Sequence, residues 1–74
     1  MTEQMFIENL TELMDTEAQL TMDTRLAEIE EWDSLSHVTF VAMCVSDGKD
    51  DVKSQDVRAA QHVRDLYRLF EGEV

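Results

Sequence analysis

The sequence predicts an all-α fold: a four-helix bundle of three main helices and one short helix, with a long first loop. Apolar residues recur at helical spacing in three separate stretches, no stretch alternates with period two over a useful length, and proline is absent. At 74 residues the chain makes one domain, spanning 1–74. A chain of this size buries only about 60% of the surface it exposes when unfolded, so its core is small. A deep active site formed by this chain alone is not expected.

The first helix is expected over 3–14, "EQMFIENLTELM", with Phe6, Leu10, Leu13 and Met14 on one face and Thr2 as its N-cap. Residues 15–33 lose that regularity. They hold Leu20, Met22, Leu26 and Ile29 among many acids, which reads as a long connection pinned to the core at a few points, with a short helical turn near 25–30. The second helix is expected over 34–47. Its apolar stripe is read as Leu35, Val38, Val41, Ala42 and Val45, widened by Phe40 and Cys44, and Gly48 suits the left-handed position beyond its end. After the polar turn "KDDVKSQ", the run "SQDVRAA" forms one helical turn capped by Ser54, with Asp56 near its positive end. The last helix is expected over 62–70, where Val63, Leu66, Tyr67 and Phe70 share a face. The core expected from these faces is Phe6, Leu10, Leu35, Val38, Val41, Val63, Leu66 and Phe70.

Charge narrows the function classes. Seventeen acidic residues face six basic ones, a net charge of −11, whereas nucleic acid and anionic membrane both require a basic footprint. Neither is expected as a partner; basic protein surfaces are. A single cysteine, Cys44, excludes an intramolecular disulfide and lies in an apolar run, as a core residue does. No apolar run is long enough to span a bilayer, and "MTEQMFIENL" lacks the basic start of a secretory signal, so a cytoplasmic location is the expectation.

The junction "WDSL" at 32–35 is the candidate site. Ser34 sits where the second helix begins, among the unpaired amides and the positive end of the helix dipole. A phosphate ester on that hydroxyl is electrostatically well placed. Asp33 can cap the helix and leave the serine free to react. Capping is also the ordinary role of a serine there, and the junction alone does not separate the two. A hydrolytic pair of Ser34 and His37 is set aside, because no Gly-x-Ser-x-Gly turn surrounds the serine and no oxyanion donors are identifiable. A calcium loop in "SDGKDDVKSQD" fails on register: with Gly48 at loop position six, Met43 falls at position one. No metal ligands and no catalytic residues are assigned. Trp32 is read as packing the loop onto the bundle, and the five methionines as core filling.

The segment "WDSLSHVTFVAM" resembles the attachment motif of acyl carrier proteins, in the form found in stand-alone members of that superfamily. "DTRLAEIEEW" is similar to the acidic loop before the motif, and "VKSQDVRAAQHVRDLYRLF" to the short third helix and the fourth, so the resemblance covers essentially the full chain. It implies a four-helix bundle in which Ser34 carries phosphopantetheine, transferred from coenzyme A by a phosphopantetheinyl transferase. The terminal thiol of that arm then holds an acyl or aminoacyl group as a thioester for acyl-loading and acyl-processing synthases of fatty acid, polyketide or related biosynthesis. The carrier itself catalyses nothing, and a monomer is the family's default. Leu35 and Val38 belong to the docking surface in this reading; Asp33 caps the helix or engages the transferase. The chain departs from many fatty-acid carriers in having neutral Ser36, Thr39 and Val45 along the exposed face of the second helix. Its acids lie in the preceding loop instead, at Glu28, Glu30, Glu31 and Asp33, which turns the expectation toward a specialised pathway and toward the loop as the charged docking element. His62 replaces the usual Thr or Ser before the fourth helix, and Gly48 replaces a bulky apolar residue. The alternative reading is an acidic helical module that binds a basic partner protein without covalent modification.

Overall fold

A computed structural model describes residues 2–49 and 51–72. Four helices follow one another: α1 (Glu3–Met14), α2 (Ser34–Ser46), α3 (Ser54–Ala59) and α4 (Val63–Glu71), with a 3-10 turn at Leu26–Glu28 inside the first loop. Among the described residues there is no strand, only an isolated antiparallel bridge between Arg25 and His62. No described helix is long and apolar enough to cross a membrane.

α1 starts where its sequence says it should. The Thr2 hydroxyl accepts from the Met5 amide at 3.1 Å, which satisfies one of the first-turn donors. Its buried face is Phe6, Leu10 and Met14, and it ends at Asp15, whose φ of 52° turns the chain left-handed. α2 ends in a glycine motif. Gly48 has φ +82°, the Gly48 amide donates to the Val45 carbonyl at 3.0 Å, and the Lys49 amide donates to the Cys44 carbonyl at 2.8 Å. These two bonds pair carbonyls that a helix end otherwise leaves open. α3 begins one residue earlier than a Ser54 cap requires: Lys53 is the capping position and Ser54 the first helical residue, while the Asp56 carboxylate accepts from the Lys53 amide at 3.4 Å.

Aromatic rings centre the core. Phe6 of α1 meets Phe40 of α2 edge-on at 6.0 Å, and lies 5.2 Å from Tyr67 and 5.7 Å from Phe70 of α4. α2 packs on α1 and α3, and α4 packs on the same two helices. Leu20, Met22 and Leu26 bury their side chains, as expected of a pinned loop. Its backbone is held too. The amides of Val63 and Arg64, at the open start of α4, donate to the carbonyls of Thr24 and Met22 at 3.0 and 2.9 Å, and the Leu26 amide donates to the Gln61 carbonyl at 2.9 Å. The loop thus supplies the acceptors that α4 lacks.

The expected face of α2 is corrected. Its buried residues are Ser36, Phe40 and Cys44, with Val41 and Met43 half-buried, whereas Leu35 is 73% exposed, Val38 63% and Val45 51%. Leu35 and Val38 are therefore not core residues. The reason is that α2 is apolar on nearly every side, so periodicity does not choose a face. The volume of Phe40 does, by filling the space between Phe6 and Trp32. Phe6, Leu10, Val63, Leu66 and Phe70 are buried as expected.

Candidate functional site

Ser34 is the first residue of α2 and is exposed. Asp33 precedes it in an extended conformation and its carboxylate accepts from the Ser36 amide at 3.0 Å. That backbone hydrogen bond holds the Asp33 carboxyl below the ordinary carboxylate range. Capping is therefore the job of Asp33, and the Ser34 hydroxyl is not used for it.

The loop is tied down immediately around this point. The buried Ser36 hydroxyl donates to the Glu31 carbonyl at 2.6 Å. The Thr16 hydroxyl, also buried, donates to the Glu31 carboxylate at 3.0 Å. The half-buried Trp32 packs its ring 4.7 Å from His37 and 6.3 Å from Phe40. These contacts fix the segment on both sides of Asp33 and so set the direction in which Ser34 presents its hydroxyl.

Two grooves flank the start of α2. One, of about 260 Å³, is lined by Leu13, Met14, Asp15, Glu31, Asp33, Leu35, Ser36 and Thr39. Three carboxylates make it acidic. The other, of about 220 Å³, runs toward α3 and is lined by Ser34, His37, Val38, Ser54 and Arg58. It contains the serine and a guanidinium.

The remaining residues expected at the site divide into three kinds. Leu35 and Val38 stand exposed beside Ser34 as an apolar ridge that continues to Ala42 and Val45. Glu28 and Glu30 are exposed loop acids. Glu31 is exposed as well, but its carboxylate is engaged by Thr16 and its carbonyl by Ser36, so it also ties the loop to the bundle. Ser36, expected on the exposed face, is inside. Sequence reasoning did not find Thr16, Ser54 or Arg58. Ser54 and Arg58 lie one turn apart on α3, a spacing readable in the sequence, but only the packing of α3 on α2 brings them to Ser34.

Cys44 is buried, and burial, with Asp47 nearby, pushes its thiol up to about 11. It is a core group without nucleophilic character. At α4, partial burial opposes ionisation of Asp65, but the amides of His62 and Gln61, donating to its carboxylate at 3.0 and 3.1 Å, outweigh it and hold the carboxyl below its ordinary range. Among the described residues, no group of three or more His, Cys, Asp or Glu side chains is arranged to hold a metal ion. Compared with known proteins, the chain matches no protein-family model, no curated protein and no solved structure.

Proposed function

We propose that this chain is an acyl carrier protein that bears phosphopantetheine on Ser34. The observation that carries the reading is the division of labour at the start of α2. Asp33 caps the helix, and the neighbouring hydroxyl stands exposed at its positive end. A phosphodiester formed there gains from the helix dipole and costs the fold no hydrogen bond. The loading step belongs to a separate transferase. The Ser34 Oγ attacks the phosphorus next to the pantetheine of coenzyme A, the new O–P bond replaces the pyrophosphate P–O bond, and adenosine 3′,5′-bisphosphate leaves. The hydroxyl proton passes to a base of the transferase.

The arm's terminal thiol then holds an acyl or aminoacyl group as a thioester. Partner enzymes dock on the surface around Ser34, where the exposed Leu35 and Val38 supply apolar contact and Glu28 and Glu30 supply charge for steering. The burial of Cys44 supports the scheme, since a second reactive thiol would compete for acyl groups.

Intact-mass measurement after incubation with coenzyme A and a broad-specificity phosphopantetheinyl transferase tests this. One phosphopantetheine should be added to the wild-type chain and none to Ser34→Ala. An unchanged wild-type mass with several transferases overturns the proposal in favour of an unmodified acidic interaction module.

A further inference from the structure

We propose that Arg58 is a positioning residue for the phosphodiester of the arm, holding it in the α2–α3 groove; this rests on the reading of Ser34 as the attachment site. Four observations lead there. Arg58 and Ser34 line the same groove, with His37 and Val38 on the α2 wall and Ser54 beside Arg58 on α3. Arg58 has no ion-pair or hydrogen-bond partner among the described residues, although the chain carries seventeen acids. Other cations are already engaged: Arg64 pairs with Asp23 at 3.1 Å, and the Lys49 ammonium lies 5.8 Å from the Phe70 ring centre. Finally, the groove on the opposite side of α2 is lined by Asp15, Glu31 and Asp33, so it repels an anion attached at Ser34.

The two grooves therefore give the arm a direction. An anion leaving Ser34 is repelled on the α1 side and attracted on the α3 side. A guanidinium suits this role because its planar fork can donate two parallel hydrogen bonds to phosphate oxygens. His37 is held on the groove wall by its contact with Trp32 and bounds the space in which the phosphate sits. The pantetheine chain then starts over Val38, along the apolar wall of the groove, and its thiol is biased toward the α3 side of the bundle. In the unloaded protein the same guanidinium is exposed to water. Its engagement is thus a difference between the unloaded and loaded forms that a partner enzyme can sense.

The test uses loaded wild-type, Arg58→Gln and Arg58→Lys proteins, each checked by intact mass for one phosphopantetheine and by circular dichroism for its helices. The 31P resonance of each is compared with that of the Ser34-containing peptide released by proteolysis from the same sample. In the wild-type protein the resonance should be displaced from the peptide position. Arg58→Gln should return it to that position, Arg58→Lys should keep part of the displacement, and 1 M salt should reduce it in the wild type. The Arg58 Nε resonance should also shift between unloaded and loaded wild-type protein. Equal 31P positions in wild-type and Arg58→Gln proteins, with mass showing both fully loaded, overturn the role of Arg58 alone. Absence of any mass increase overturns both this inference and the carrier reading.

Discussion

The Ser36 hydroxyl donates to the Glu31 carbonyl at 2.6 Å, tying the residue two places after Ser34 to the loop three places before it. The bond closes the chain around Asp33 and Ser34 and holds the loop to the helix that it precedes. It also explains a polar side chain inside the bundle: Ser36 is buried because a backbone acceptor waits there for its hydroxyl.

Replacing that hydroxyl should therefore loosen the site before it loosens the core. Ser36→Ala leaves a partly buried carbonyl short of its donor, at a cost of about 1–3 kcal/mol. Urea unfolding should register that loss. Amide hydrogen exchange should show faster opening in residues 29–33 than in α1.

Leu35 and Leu66 are both leucines on helices and should behave oppositely. Leu66 is fully buried, so Leu66→Ala should cost about 2–5 kcal/mol. Leu35 is mostly exposed, so Leu35→Ala should stay within about 0.5 kcal/mol of wild type. Its effect should appear instead as slower loading by the transferase. If Leu35→Ala destabilises as Leu66→Ala does, the orientation of α2 described above is wrong.

The contrast between these two leucines shows how far the sequence could be read. The bounds of α1 were legible because Thr2 and a clean apolar stripe mark them. The face of α2 was not, because apolar residues surround it and only the packing of Phe40 between Phe6 and Trp32 decides which side turns inward. The stitching of the first loop to α4 was equally hidden. It runs through the backbone amides of Leu26, Val63 and Arg64 and the carbonyls of Gln61, Thr24 and Met22, and such bonds constrain residue type only by excluding proline at the donors. At the site, Asp33 and Ser34 were legible from one helix start. Arg58 was not, since its nearness to Ser34 depends on how two helices meet.

Charge steering should be carried by Glu28 and Glu30. Both are exposed; Glu31 is exposed too, but Thr16 holds its carboxylate, so it belongs in no such test, because its reversal would also break a structural bond. The double variant Glu28→Lys, Glu30→Lys should load more slowly at low salt, through slower association. The difference from wild type should narrow at high salt, as the Debye length falls from about 10 Å at 0.1 M to about 3 Å at 1 M. Equal loading rates at low salt would assign these acids to solubility alone and leave docking to Leu35 and Val38.

Asp65 should make the stability of the bundle sensitive to acid. Its folded-state pKa lies below the ordinary 3.8, so the unfolded chain binds more protons as the pH falls. The stabilisation is present above about pH 4 and is lost as the pH falls through the folded value. Asp65→Ala removes the acceptor for the Gln61 and His62 amides and should cost about 1 kcal/mol at pH 7, as a lost helix cap does. The gap between the melting curves of wild type and variant should close as the pH is lowered below 4. A gap that is constant with pH would mean that the carboxylate's charge plays no part.

Tandem mass spectrometry of the loaded protein, with the phosphopantetheine mapped to a single side chain, decides whether Ser34 carries the arm. Ser34, Ser36, Ser46 and Ser54 all offer hydroxyls, but Ser34 alone is an exposed first residue of α2 beside a capping aspartate. The arm should be found on Ser34, in a fragment that separates it from Ser36. An arm on any other serine, or none after exposure to coenzyme A and competent transferases, would contradict this assignment.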